Sequence, residues 1–320
     1  MRYTYLGPEG TFTETALLKV PAALVGERFA SSSVPAALEA VRSGQAEAAM
    51  VPIENSVEGG VTATLDSIGL DDQLRITLEV LLPVQFVLLA KTAADFSQIQ
   101  RVSTHTHAWA QVRLWAQQKI PQAQYLPGPS TAAAALGLLA ENPGYDAAIC
   151  SPAVAQKHPE LVVLEENIAD NKQAVTRFVL IARNPPIPQP TGADKTTLIV
   201  PLPQDRPGAL LDLLHQFATC GINLSRIESR PTGDFLGSYN FSIDADGHIY
   251  DSRMRAALRG LHRVSPGIQF LGSYPRADFR RSQVAQMHEE EAFEEARDWV
   301  ESLFPQGRPE HLQHFKHWGS

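Results

Sequence analysis

The segment Asn184-Pro-Pro-Ile-Pro-Gln-Pro-Thr-Gly-Ala-Asp194 carries four prolines. Each proline fixes φ and removes an N–H donor, so this density suits neither a helix nor a central strand. The segment reads as a linker, 184–194, and it splits the 320-residue chain into separate folding problems. Residues 1–183 form one domain and 195–275 a second, with a C-terminal helix and tail over 276–320. Either domain is long enough to bury a core.

Before the linker, strand and helix patterns alternate. Arg2–Leu6 reads as a strand, Thr13–Val20 and Val34–Gly44 as helices, Ala46–Pro52 as a buried strand and Thr62–Ile68 as a helix. Val80–Ala90 is an apolar run suited to one long central strand. Ala108–Gln118, Thr131–Ala140 and Pro152–Gln156 read as helices, with Ala147–Cys150 and Leu161–Leu164 as short strands. Alternation of this kind predicts an α/β architecture with a mainly parallel sheet. After the linker the order becomes β-α-β-β-α-β. The strands are Thr196–Leu202, Ile222–Arg230, Phe235–Asp244 and Ile268–Tyr274, and the helices are Gly208–Cys220 and Ser252–Leu261. This is a ferredoxin-like order, of a size that more often binds or regulates than catalyses. Gln283–Phe304 reads as an amphipathic helix with Val284, Met287, Ala292, Ala296, Val300 and Leu303 near one face, packed on the body or on a partner subunit. The segment around His311, His314 and His317 reads as a disordered tail rather than a metal site.

Charge narrows the partners. There are 27 basic and 35 acidic residues, a net −8, and no basic block, which argues against nucleic acid. No run approaches the ~18–20 apolar residues of a membrane span, and the N-terminus has no apolar signal core. Cys150 and Cys220 lie in different domains and read as reduced core residues of a cytoplasmic protein. Neither has a companion Cys or His at metal-ligand spacing.

Three polar islands interrupt the first domain. Gly7-Pro-Glu-Gly-Thr-Phe-Thr13 has the form of a strand-to-helix turn, with Thr11 or Thr13 placed to cap the helix. A helix start offers unpaired N–H groups to a carboxylate. Gly128-Pro-Ser-Thr repeats the device with Ser130 or Thr131. Glu54-Asn55-Ser56 follows a buried strand and precedes Gly59-Gly60, where open α/β sheets place their ligands. Asn55 supplies an amide donor and Ser56 a hydroxyl, while Glu54 reads as an ion-pair partner for Arg177 or as an acid. Thr176-Arg177 stands at the mouth of the apolar run Phe178–Ala182, a hydroxyl and a fixed cation suited to an anionic substrate with a leaving oxygen. His105 and His107 precede a helix and read as acid, carboxylate donor or surface side chains. No Ser/His/Asp, Cys/His or metal arrangement stands out.

Taken in order, Gly7-Pro-Glu-Gly-Thr-Phe-Thr13, Pro52-Ile-Glu-Asn-Ser56, Ser130-Thr-Ala132 and Thr176-Arg-Phe178 resemble the motifs of the prephenate dehydratase family. Pro207-Gly-Ala-Leu210 and Ile227-Glu-Ser-Arg-Pro231 resemble the two signatures of its phenylalanine-binding ACT domain. The resemblance covers roughly residues 1–274. No chorismate mutase segment precedes Met1, so the expected form is the monofunctional one. The resemblance implies a bilobal catalytic domain similar to type 2 periplasmic binding proteins, with the chain crossing between lobes near Leu78–Phe86 and Asn171–Phe178. It implies conversion of prephenate to phenylpyruvate with loss of water and carbon dioxide, and no cofactor. Thr176, Asn55, Ser56 and Arg177 would be catalytic, and Thr11, Phe12, Glu54, His105, Ser130, Thr131 and Phe178 would bind substrate. Thr176 would act as a positioned donor to the departing oxygen. Gly208, Ala209, Leu210, Asn223, Glu228, Ser229, Arg230 and Pro231 would bind L-phenylalanine as a feedback inhibitor, in a homodimer or homotetramer. The chain departs from the family at His107, where glutamine is common, and at Gln173-Ala174-Val175, which lacks a common asparagine. The rival readings are an arogenate dehydratase and a cytosolic bilobal sensor without turnover.

Overall fold

The computed structural model describes residues 1–70, 72–202, 206–232 and 238–304. Two compact units form: Met1–Gln189 with Gln269–Phe279, and Pro190–Ile268 with the described residues from Arg280 onward. The division falls inside the proline segment.

The first unit has two lobes, each built on its own sheet. The first lobe holds β1 (Arg2–Leu6), β2 (Glu27–Ser31), β3 (Ala48–Asn55), β4 (Gly59–Gly60) and β5 (Leu74–Pro83). The second holds β6 (Val87–Ala90), β7 (Arg101–Thr104), β8 (Gln124–Pro127), β9 (Ala147–Cys150) and β10 (Val162–Glu165), after which β11 (Val175–Arg183) returns to the first lobe. The strand orders are β2-β1-β3-β11-β5, with β4 beside β3, and β10-β6-β9-β7-β8. Helices α1 (Phe12–Leu17), α2 (Pro21–Val25), α3 (Val34–Arg42) and α4 (Thr62–Ile68) belong to the first lobe. Helices α5 (Thr106–Ala110), α6 (Arg113–Lys119), α7 (Thr131–Gly137) and α8 (Pro152–Lys157) belong to the second.

Helix α3 illustrates how local sequence sets these elements. Ser33 caps it, Oγ accepting from the Ala36 amide at 3.2 Å, and Pro35 sits in the first turn where no N–H is required. Val34, Ala37, Leu38 and Val41 then share one face and are buried against β1 and β3. Burying a side chain such as Leu38 contributes roughly 1.5–3 kcal/mol. The α1 side of the sheet is packed by Tyr3, Tyr5, Leu17, Met50, Leu82 and Phe178. The second lobe closes over Phe86, Leu88, Val102 and Ile149.

The bilobal α/β class matches the expectation, but two details differ. The apolar run Val80–Ala90 is not one strand: β5 ends at Pro83 and β6 begins at Val87, in different sheets. Proline lacks the donor that a continuing central ladder needs, so the run breaks there and crosses between lobes. The two crossing segments lie side by side, Val84 N donating to Ala174 O at 2.8 Å. The sheets are also mixed rather than mainly parallel. β1–β2, β1–β3, β7–β8 and β7–β9 run parallel, whereas β3–β4, β3–β11, β5–β11, β6–β9 and β6–β10 run antiparallel. Each lobe receives strands that run back from the crossings. The edge strands β2 and β8, and the short β7, escape the sequence because none presents a continuous apolar run.

The second unit contains β12 (Asp194–Pro201), α9 (Ala209–Ala218), β13 (Leu224–Pro231), β14 (Tyr239–Asp246) and α10 (Ser252–Val264). β14 pairs antiparallel with β12 and β13. Helices α9 and α10 pack together, closely enough that a Cβ at Gly260 would meet the Gln216 side chain at 2.2 Å. With β15 (Gln269–Pro275) the element order is the expected βαββαβ. β15 itself belongs to the first unit, where it lies against β5; a Cβ at Gly272 would sit 2.3 Å from Ile76 O.

The C-terminal helix is shorter than expected. α11 spans Glu290–Ser302 and follows a 3-10 turn at Gln286–His288. The acidic residues Glu290 and Glu291 sit in its first turn, where the helix dipole favours them, and so mark a start later than Gln283. None of its residues is buried; it lies against α10, and the Glu290 carboxylate accepts from Ser252 N at 2.8 Å. His311, His314 and His317 and the expected strand start at Phe235 lie outside the described residues.

Candidate active site

Two strand ends meet beside the crossing between lobes. β3 ends in Glu54-Asn55 and β11 begins with Val175-Thr176-Arg177, in register Thr176↔Asn55 and Arg177↔Glu54. Asn55 Nδ2 donates to Thr176 Oγ1 at 2.9 Å, while Asn55 Oδ1 accepts from the amides of Val57 and Glu58 at 2.8 and 3.2 Å. The Asn55 amide is thus oriented by the turn that follows it. Ser56 holds the same junction: its Oγ accepts from Val175 N and its own N–H donates to Val175 O, both at 2.9 Å. Thr176 Oγ1 accepts a hydrogen bond from Asn55, which leaves its own O–H available to donate.

Successive side chains on a strand face opposite ways. Thr176 therefore shares a face with Phe178 and with Leu82 across β5, both buried in the α1-side core. Phe12 packs on that core and meets Phe86 edge-on, with ring centroids 5.7 Å apart. Arg177 and Glu54 point to the other face. There Arg177, 4% exposed, donates Nε to Glu79 at 2.6 Å, one terminal nitrogen to Glu54 at 3.4 Å and the other to Tyr274 Oη at 2.7 Å. The structure brings Asn55, Thr176, Phe178 and Phe12 to one side, ties Ser56 to the Val175 backbone, and assigns Arg177 and Glu54 to an ion pair on the reverse.

The remaining residues sit at helix starts. Thr11 caps α1, Oγ1 accepting from Glu14 N at 3.4 Å and donating to Leu6 O at 3.0 Å. The Gly10 amide, expected to meet a carboxylate, already donates to Glu14 Oε2 at 2.6 Å, and Lys157 Nζ lies 2.6 Å from Glu14 Oε1. Thr11-x-x-Glu14 is a capping-box spacing, and its glutamate satisfies the helix start from within. Ser130 caps α7, its Oγ accepting from Ala133 N at 3.0 Å, and Thr131 is the first residue of that helix. His105 caps α5 through Nδ1, which accepts from His107 N at 3.3 Å. Across from it Glu58, just beyond Asn55-Ser56, accepts from His107 Nδ1 at 2.6 Å and from Gln111 Nε2 at 3.3 Å. Glu58 belongs to the first lobe and His107 and Gln111 to the second, so this cluster spans the two.

Burial holds the His105 pKa below its ordinary 6.5, the neighbouring His107 lowers it further, and Glu58 offsets part of the effect. An unfolded chain thus takes up this proton at higher pH than the folded one. The start of α5 is held fully above pH 6.5 and loses stability as pH falls below it. Protection of the His107 amide, taken relative to the intrinsic exchange rate at each pH, is expected to fall on acidification below that value. Unchanged protection down to about pH 5 contradicts this.

In the second unit, Gly208 takes φ +83° at the start of α9, with Ala209 buried behind it. A Cβ at Gly208 would meet nothing within 4 Å, so conformation rather than space favours glycine there. Leu210 is half-buried beside them. Asn223 Nδ2 donates to Asp246 Oδ2 at 2.9 Å. Strand alternation separates the other four: Glu228 and Arg230 lie on the face of Arg226, and Ser229 and Pro231 are exposed on the opposite one.

The prephenate dehydratase family model matches residues 3–186. The chain belongs to the prephenate dehydratase family. A prephenate dehydratase from Amycolatopsis methanolica is 44% identical over 303 residues, 94% of this chain and 97% of the relative. The crystal structure of a prephenate dehydratase from Arthrobacter aurescens in complex with L-Phe is 57% identical, with a TM-score of 0.91, over 95% of this chain and all of that one. GqqA, described as a novel type of quorum-quenching acylase, is 28% identical with a TM-score of 0.77, over 88% of this chain and all of that one. Among the described residues no His, Cys, Asp and Glu cluster suits a metal ion, and no helix is long and apolar enough to cross a membrane. Sequence reasoning overlooked Glu58, Gln111, Glu79, Glu14 and Tyr274. Two left a readable signal: Glu79 is a lone acid within the apolar strand Leu78–Leu82, and Glu14 occupies the capping-box position after Thr11.

Proposed function

We propose that this chain is a carbon–oxygen lyase that converts prephenate to phenylpyruvate, water and carbon dioxide, with L-phenylalanine as feedback inhibitor. The supporting observation is the Asn55–Thr176 pair, in which Asn55 holds the hydroxyl oxygen at a strand end and leaves the O–H available to donate. The ring carboxylate leaves as CO2, the electrons of that C–C bond enter the ring, and the ring hydroxyl departs as water with one added proton. Aromatisation drives the step. Thr176 donates a hydrogen bond to the departing oxygen, an interaction strongest when charge develops there. Asn55 orients Thr176, Ser56 locks the two strands together, Phe12 and Phe178 supply the apolar wall, and Arg177 with Glu54 holds β11 in place. The reading assigns His105, Ser130, Thr131 and Thr11 to substrate orientation from the helix starts. It places catalysis in residues 1–183 and regulation in 195–275, in a cytoplasmic homodimer or homotetramer.

Regulation follows from Gly208, Ala209, Leu210, Asn223 and Glu228–Pro231, whose signatures match an ACT domain that binds phenylalanine. Gly208→Val, which forces a β-branched residue into a left-handed conformation, and Asn223→Ala are each expected to abolish inhibition while turnover persists. Inhibition curves identical to the unaltered chain contradict the placement. The functional reading as a whole is tested by offering prephenate and arogenate in parallel. Product from prephenate supports it; product from arogenate alone assigns the other substrate.

A further inference from the structure

Arg177 lies next to Thr176, and the bonds of its guanidinium lead to a distant part of the sequence. Tyr274 belongs to β15, which follows α10 in the chain and closes the 195–275 segment. It is fully buried, and its Oη accepts from Arg177 at 2.7 Å. Glu79 receives Arg177 Nε at 2.6 Å on one oxygen and the Ala277 amide at 3.0 Å on the other. Glu79 and Arg177 thus tie both Tyr274 and the chain just after β15 to the start of β11. β15 has little freedom to slide, because Gly272 lies on the Ile76 backbone.

We infer that Tyr274, acting through Arg177 and Glu79, is a positioning residue for Thr176, and that this network carries the regulatory response to the reacting centre. Consecutive Cα atoms are held ~3.8 Å apart by a planar peptide, so displacement of Arg177 is passed to Thr176. Residues 195–268 run directly into β15, so a ligand that changes their conformation biases β15, and β15 biases β11. Buried, directional bonds suit such transmission better than apolar packing, because they are made or lost over a fraction of an ångström. This inference rests on the proposed function and adds to it the route by which inhibition reaches the threonine.

The test compares Tyr274→Phe, which keeps the ring and deletes one hydroxyl, with Glu79→Gln, which keeps shape and removes charge. For each, kcat and KM for prephenate, the depth of inhibition at saturating L-phenylalanine and direct L-phenylalanine binding by calorimetry are measured on the full chain. Both variants are expected to bind L-phenylalanine within about two-fold of the unaltered chain. The ratio of uninhibited to inhibited kcat is expected to shrink about five-fold or more, the lower range of a typical coupling. In Tyr274→Phe the uninhibited kcat falls while KM holds. A merely structural role would lower the melting temperature and leave inhibition depth unaltered; that result overturns the inference. If the unaltered chain neither turns over prephenate nor responds to L-phenylalanine, the functional reading fails and the coupling with it. If the unaltered chain is inhibited and both variants equally so, only the coupling is overturned.

Discussion

Thr176→Ala is expected to lower turnover about 10²–10³-fold, the usual cost of deleting one donor to a developing oxyanion. The side chain is only partly buried and its partner Asn55 is likewise half-buried, so the fold should survive the change. The loss belongs in kcat more than in KM, because the hydrogen bond strengthens as the oxygen departs. Thr176→Ser keeps the hydroxyl on the same strand position and is expected to retain most of the activity. Asn55→Ala leaves the hydroxyl present but free to rotate, and falls between the two. Equal activity in Thr176→Ala and the unaltered chain, measured by phenylpyruvate formation, would remove Thr176 from the mechanism.

The second large effect concerns stability. Glu79 and Arg177 are both buried, and truncating one leaves the other charge without its main partner. Breaking such a pair typically costs about 3–5 kcal/mol. Arg177→Met and Glu79→Leu, read by urea denaturation, should each lose that much. The double variant should lose clearly less than the sum, since no charge is then stranded. Additive losses, or single losses below about 1 kcal/mol, the range of exposed pairs, would show that the pair is not buried in solution as the geometry has it.

Several features of this protein were legible from particular residues. Pro185, Pro186, Pro188 and Pro190 announced the division of the chain, and the units part after Gln189. Asn55, Ser56 and Thr176 were picked out from strand-end polarity; the structure hydrogen-bonds Asn55 to Thr176 and Ser56 to the Val175 backbone beside them. Other features were hidden for physical reasons. The apolar run through Pro83 looked like one strand, because hydrophobicity reports burial but not which of two sheets does the burying. Antiparallel pairing of β11 depends on the chain crossing twice between lobes, which no local pattern encodes. Arg177 read as a substrate cation because its partners Glu79 and Tyr274 are 98 and 97 residues away. The helix start within Gly7–Thr13 read as an anion site, and the Glu14 carboxylate takes the Gly10 amide there.

The most direct measurement is the product balance of the purified full chain supplied with prephenate. The account predicts phenylpyruvate and carbon dioxide formed in equal amounts, with a rate that collapses in Thr176→Ala and is recovered in Thr176→Ser. Folded protein that yields neither product from prephenate, or yields both equally well without the Thr176 hydroxyl, would contradict it.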